Sequence, residues 1–538
     1  MTTPAASVAA DRGGGGRDTR DARRVIVDVL FWLALVALVV ANAAVLIPGI
    51  ATVRLWEDEA FNLTVPLNLV QGLGYTSDGT LSGSELATFD VRISTGPVML
   101  LPIAGLVALG VDPVLAGRAV ATLGYAGLLA ALALVGHRLG GRWAALVAVS
   151  IPLAFETAAM PSPIQTPADI LGEVTAAAFL AAALLFVHRR PWLAGLLLGL
   201  AIQVKFIALL AVPAFALAVL LDAPGPWPVR LRRTVPRVLA AGAAAALPTI
   251  TFELGKLASL GPAAYWANLR EFSWFLRSGG QQGYTTSPLD KLAALAGSWN
   301  VPTAVMAVIG VTALVAGTVV IVAAIRRMPR EDADDRGSAR DAAGVPRAEF
   351  TTIVLTAALA LATFLAWWFV SRHTPAWVRH PAPAVLAFLP VLAAAVVPAT
   401  RVLLGSPPAA GRDAADTVPA PRGRAGRIVA AAASVVAVVV LAWSITGRAA
   451  GVGSQTLPTG ETLAVQRTAA GEVAALGYDR MATIWGPAVS VGVLAGVHVG
   501  LTDAVDVTAR DPRIWFGEPP PRCEVQVRSG DYSACLPD

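Results

Sequence analysis

Uncharged runs of about 20 residues recur along this chain, the length an α-helix needs to cross the hydrocarbon core of a bilayer, and the charges between them fall into clusters. Val29–Ile50 is the first such run. Ala51–Ser94 is polar and broken by Gly72, Gly74, Gly79 and Gly83, which mark turns. Gly96–Gly110 is short for a crossing and reads as an interfacial or re-entrant helix, whereas Val114–Gly136 crosses. Trp143–Met160 and Ala168–Val187 follow, divided by Met160-Pro-Ser-Pro-Ile-Gln-Thr-Pro167, which a continuous helix does not tolerate. Trp192–Leu221 is about 30 residues, long for one pass and short for two. Arginines at both of its ends make it an outward and an inward pass that turn near Lys205. Leu239–Phe252, Asn300–Ile325, Phe350–Ser371, Ala382–Thr400 and Ile428–Gly447 complete the series.

The clusters set the sidedness. Arg12, Arg17, Arg20, Arg23 and Arg24 precede the first run, and excess Lys and Arg mark the cytoplasmic face. Counting passes from there gives about eleven transmembrane helices, an all-α polytopic membrane protein with its N-terminus inside and its C-terminus outside. Residues 1–24 read as a disordered cytoplasmic tail and residues 25–447 as a transmembrane domain with outer loops 51–95 and 253–299. The second of these loops carries Tyr265, Trp266, Phe272, Trp274, Phe275 and Tyr284, aromatics of the kind that favour the bilayer interface. Residues 448–538 are expected to form a small extracytoplasmic α/β domain. Within it Ala482–Trp485 and a segment near Ala504–Thr508 are expected as strands, with a helix over Pro487–Ala495.

Composition agrees with a bilayer as solvent: 56% of the 538 residues are hydrophobic and 14% charged. The formal charge of +5 sits in loops between apolar runs, so it is assigned to topology and not to a nucleic acid. The first run is longer than a signal-peptide core and lacks a small-residue cleavage site, which makes it an uncleaved span. Cys523 and Cys535 are the only cysteines, and if that end is extracytoplasmic they pair as a disulfide.

Candidate chemistry gathers on the outer side. Leu55-Trp-Glu-Asp-Glu-Ala-Phe-Asn62 places Glu57, Asp58 and Glu59 just beyond the first span. Asp169 and Glu173 lie one helical turn apart, a spacing that shares a face. Lys205 falls at an outer turn, and Arg372, His373, Arg379 and His380 crowd another. Carboxylates can accept a proton, and Lys and Arg can hold a phosphate. The bland readings are solvated acids at a membrane boundary, snorkelling cations, and an ion pair inside the bundle.

The chain resembles the GT-C class of glycosyltransferases, polytopic enzymes that use polyprenyl-phosphate sugars and include protein mannosyltransferases and the aminoarabinose transferase of lipid A. Asp58-Glu59-Ala60 is similar to that class's acidic motif in its first outer loop, and Leu198-Gly-Leu-Ala-Ile-Gln-Val-Lys205-Phe to its Gly-Leu to Lys turn. Arg118, His137-Arg138-Leu139-Gly140, Arg379-His380-Pro381 and Ala482-Thr-Ile-Trp-Gly-Pro487 are further short matches. The chain departs from the class at Thr95-Gly96-Pro97, where His-Pro-Pro is common, and at Phe61, where a basic residue is common.

The resemblance implies a glycosyltransferase that moves a hexosyl or pentosyl group from a polyprenyl-phosphate donor to a glycan, lipid or protein acceptor, within membrane lipids. Asp58 and Glu59 would be catalytic. Asp169, Glu173, Lys205, Arg372, Arg379 and His380 would bind substrate, with Arg92 as a further cation. No cofactor or metal site is indicated, and a divalent-metal requirement stays open. The alternatives are a flippase for a lipid-linked precursor, in which no bond breaks, and an oligosaccharide ligase acting through Arg379 and His380.

Overall fold

The computed structural model describes residues 15–78, 86–155, 164–222, 226–277, 285–298, 301–327, 346–404, 424–452, 461–501, 512–521 and 523–536. The membrane-type part consists of α1 (Gly15–Ala51), α2 (Glu57–Val70), β1 (Thr76–Ser77), β2 (Ala87–Thr88), α3 (Pro97–Ala108), α4 (Pro113–Gly140), α5 (Arg142–Ala154), α6 (Glu173–Leu184), α7 (Pro191–Val204), a short 3-10 helix Phe206–Ala211, α8 (Val212–Asp222), α9 (Trp227–Arg277), α10 (Pro288–Ser298), α11 (Thr303–Arg327), α12 (Arg347–Val370), α13 (Ala382–Leu404) and α14 (Arg424–Gly451). Among the described residues six helices are long and apolar enough to cross a bilayer, those centred on α1, α4, α9, α11, α12 and α13. Shorter apolar helices, including α3, α5, α6, α7 and the C-terminal part of α14, pack among them. One continuous apolar core joins α4 to α8 with α12 and α13.

Several expected boundaries move. α1 starts at Gly15, inside the segment expected to be a disordered tail. Residues 253–277 are helical and not an open loop: α9 runs on through them after a break at Gly261, whose φ of 73° and ψ of 165° are outside helical space. α6 begins only at Glu173, because Gly172 at its N-cap adopts a left-handed φ of 85° that ends the preceding turn. Asp169 and Glu173 therefore do not share a helical face.

The C-terminal part comprises α15 (Leu463–Ala474), β3 (Arg480–Thr483), α16 (Pro487–Ala495), β4 (His498–Leu501), β5 (Arg513–Phe516), β6 (Glu524–Ser529) and β7 (Tyr532–Leu536). Its sheet has the order β4-β3-β5-β7-β6. β3 runs parallel to β4 and β5, and β5, β7 and β6 pair antiparallel. The expected helix Pro487–Ala495 has those bounds, and the expected strand at Ala482 is β3, while the segment near Ala504–Thr508 lies outside the described residues. Cys523 and Cys535 are joined, Cys535 lying in β7 opposite Val525 of β6.

This part is not tethered loosely. A second apolar core merges Leu55, Ala60, Leu63, Met99 and Leu100 with Val489, Val491, Ile514 and Tyr532. Polar contacts reinforce it. The Leu55 backbone pairs with the Gln466 amide in both directions, its N–H donating to Oε1 at 2.7 Å and its carbonyl accepting from Nε2 at 3.0 Å. Buried Asp78 accepts from the Val499 N–H and contacts His498 Nδ1, both at 3.1 Å.

Arg54 lies 3.4 Å from Glu57 and 3.6 Å from Glu461, its guanidinium over the Trp56 ring. Burial pushes the Glu461 carboxyl up to about 7, against the pull of Arg54. A raised carboxyl binds its proton more tightly in the folded state, so the stability it contributes is full below its ordinary 4.5 and is lost as pH rises through 7. Between pH 5 and 8 the melting temperature should fall more steeply for the wild type than for Glu461→Gln. Parallel curves would show that Glu461 does not titrate in this range.

Candidate active site

The first turn of α2 divides its acids between two jobs. Carboxylates are favoured there because free N–H groups and the helix dipole meet them. Glu59 is fully buried. Its Oε2 accepts the Trp56 N–H at 2.9 Å, its Oε1 accepts the Ile170 N–H at 3.0 Å, and Arg118 stands 3.6 Å away. Arg118, also fully buried, donates to the carbonyls of Ile50, Val53 and Arg54 at 3.2, 2.9 and 3.0 Å. Both groups thus hold the turn between α1 and α2, and complete burial closes Glu59 off from solvent. Glu57 turns to Arg54, and burial raises its carboxyl above the ordinary range.

Asp58 is the acid of the three that stays partly exposed. Its side chain keeps 22% exposure and forms an ion pair with Nη1 of Arg379. The Arg379 guanidinium lies over the Trp377 ring, 4.9 Å from its centroid.

Lys205 is placed by a crossing of three chain breaks. Between α7 and the 3-10 helix it is extended, with φ of −147° and ψ of 113°, and bridges antiparallel to Thr95. The Gly96 N–H donates to the Val204 carbonyl at 2.8 Å. A Cβ on Gly96 would stand 2.1 Å from the Gln203 carbonyl oxygen, so only glycine lets these strands approach. At this crossing Lys205 Nζ donates to Glu173 and the Leu171 carbonyl, both at 2.8 Å, and to Ser94 Oγ at 2.9 Å. Gly96→Ala should therefore lower thermal stability by about 1–3 kcal/mol, the usual cost of overpacking, and shift Lys205 with it. A melting curve of purified Gly96→Ala that overlays the wild type would disprove the close crossing.

Of the remaining candidates, Asp169 caps its own loop. It accepts from the N–H groups of Gln165 and Thr166 at 2.5 and 3.0 Å and from the Thr166 hydroxyl at 2.9 Å. Burial and the neighbouring Glu59 push its carboxyl above the ordinary range. Glu173 is the partner of Lys205. Arg372 and His373 are exposed, while Arg92 is engaged by Asp90 at 3.7 Å and Glu271 at 3.4 Å. The His380 ring sits between Trp377 and Trp367, with centroids 5.4 and 6.3 Å away, and its buried Nδ1 has no hydrogen-bond partner among the described residues. Burial, helped by the charges of Arg379, Lys205 and Lys291, drives its pKa down to about 3, so it is a neutral imidazole.

Lys291 is the residue that pattern reading overlooked. It is fully buried in α10 and donates to the carbonyls of Trp368 and Ser371 at the C-terminal end of α12. A cation suits orphan carbonyls there, and it fixes the turn that carries Arg379. A single lysine in a polar stretch gives no pattern to find.

The fold of this chain is similar to that of solved structures over nearly its whole length. Two crystal structures of ArnT from Cupriavidus metallidurans, one bound to undecaprenyl phosphate and one in the apo state, match at TM-scores of 0.54 and 0.53 with 14% identity, covering 95% and 96% of this chain and 98% of theirs. The oligosaccharyltransferase of Archaeoglobus fulgidus in the apo form gives a TM-score of 0.49 at 12% identity, over 88% of this chain and 64% of that one. At such identities the likeness is one of fold. No protein-family model matches the sequence, and no curated protein does.

Proposed function

We propose that the chain is a glycosyltransferase that moves a sugar from a polyprenyl-phosphate donor to an acceptor hydroxyl at the extracytoplasmic membrane face, in assembly of an envelope glycan or glycoprotein. The observation that carries this reading is the pairing of Asp58 with Arg379 beside Lys205: one carboxylate and two basic side chains brought together from α2, the turn before α13 and the break after α7. The fold shared with ArnT, one structure of which holds undecaprenyl phosphate, supports the donor class.

The acceptor oxygen forms a bond to the sugar's anomeric carbon as that carbon's bond to the phosphate oxygen breaks. The acceptor proton passes to Asp58, and the electron pair leaves with the polyprenyl phosphate, which gains one negative charge. Arg379 and Lys205 offset that charge as it develops, where it is worth most to the rate. Asp58 engages Nη1 of Arg379, leaving the other edge of the fork for a phosphate oxygen. Glu59, Arg118, Glu173 and Lys291 hold these groups in place. Sugar appearing on an acceptor from a synthetic polyprenyl-phosphate donor, in vesicles containing only this protein, would support transfer. Donor crossing the vesicle membrane with no bond cleaved would instead establish a flippase.

The arginines between spans support a sidedness with the site and residues 448–538 outside. Membrane-impermeant thiol reagents applied to intact cells should modify Glu472→Cys and leave Arg190→Cys untouched. Modification of both from one side would end this topology.

A further inference from the structure

The turn that leaves β3 carries two large apolar side chains in succession that the sheet does not cover. Thr483, the last residue of β3, is buried, and its hydroxyl donates to the Ile514 carbonyl at 2.8 Å, which ties the end of the strand to β5. The next two residues emerge: Ile484 is 42% exposed and Trp485 37%. Gly486, with φ of 148° and ψ of −162°, then turns the chain into α16 behind Pro487. The indole is not loose. It meets the buried Phe61 ring edge to face at a centroid distance of 6.0 Å.

Phe61 belongs to α2, three residues after Asp58, so the two are neighbours on the helix surface, their Cβ atoms about 5–6 Å apart. The exposed indole therefore lies on the order of 10 Å from the Asp58 carboxylate. That is the span of one or two sugar rings. Phe61 serves as the rest for Trp485.

We propose that Trp485 is the platform on which a carbohydrate acceptor stacks, with one saccharide unit against the indole and the hydroxyl of the next at Asp58. This rests on the transferase reading. A pyranose or furanose has an apolar C–H face and a hydroxyl rim, and an indole held rigidly at a wet, polar mouth matches that face at small entropic cost. The sheet presents the indole, partly exposed, against the α2 residue one turn from Asp58.

The test uses the full chain in nanodiscs. Saturation-transfer NMR would be recorded with linear tetrasaccharides of mannose, glucose, xylose and arabinose, for wild type, Trp485→Phe and Trp485→Ala. Binding of undecaprenyl phosphate is measured on the same samples. At least one tetrasaccharide should bind the wild type through its C–H face, about tenfold more weakly to Trp485→Ala, with Trp485→Phe between them. Undecaprenyl phosphate should bind all three alike. If no tetrasaccharide binds, or if binding is indifferent to Trp485→Ala, the platform is wrong. The transferase reading then still stands wherever undecaprenyl phosphate binding depends on Arg379. Conversely, saccharide binding at Trp485 in a protein whose undecaprenyl phosphate binding ignores Arg379→Ala upholds the platform and overturns the donor site.

Discussion

Asp58→Asn should lower sugar transfer by about 10²–10⁴-fold, the usual loss when a positioned base is removed, while leaving donor affinity nearly intact. Asparagine keeps the size of the side chain and can still accept from Arg379, so the site stays assembled. What it cannot do is take the acceptor's proton. The neighbouring acid provides the contrast. Glu59 is fully buried between two backbone N–H groups and Arg118. Breaking such a pair leaves an uncompensated buried charge at a cost of about 3–5 kcal/mol, so Glu59→Ala should be lost as folded protein rather than as turnover. Near-normal transfer by well-folded Asp58→Asn would remove Asp58 from the chemistry and reopen the question of the base.

What could be read in advance follows from which physical signals are local. The break at Lys205 was legible because a 30-residue apolar run with arginines at both ends has only one way to satisfy bilayer thickness and charge together. The helix Pro487–Ala495 was legible from a Gly-Pro start and a glycine stop. Long-range pairings were hidden. Nothing in the spacing of Glu57, Asp58 and Glu59 tells which carboxylate turns inward, since Arg118, Ile170 and Arg379 meet them from distant segments. The four-residue spacing of Asp169 and Glu173 misled because it presumed a helix that Gly172 ends. β5, β6 and β7 are strands of four to six residues with little clean alternation, and their register depends on pairing rather than on pattern. Gly96 looked like a departure from a motif; it is the point where two segments cross too closely for any side chain.

Arg379→Ala should weaken binding of undecaprenyl phosphate and also slow transfer, each by about tenfold or more, as expected for a charge-assisted hydrogen bond worth roughly 1.5–3 kcal/mol. The two effects separate by mechanism. Contacts made to the phosphate in the bound donor set affinity, whereas contacts that strengthen as the phosphate takes on its extra charge set turnover. Arg379→Lys tests geometry: it retains the charge and loses the planar fork, so it should recover part of the affinity and little of the rate. Lys205 needs a different variant. All three of its donors are engaged, and Glu173 is buried against it. Lys205→Ala alone would strand that carboxylate, and its effect on donor binding would be confounded with misfolding. The double variant Lys205→Met, Glu173→Gln removes the pair together and isolates the loss of cationic charge near the phosphate. Unchanged donor affinity and turnover in both Arg379→Ala and the folded double variant would show that these cations are anchors of the bundle, and that the leaving phosphate is held elsewhere.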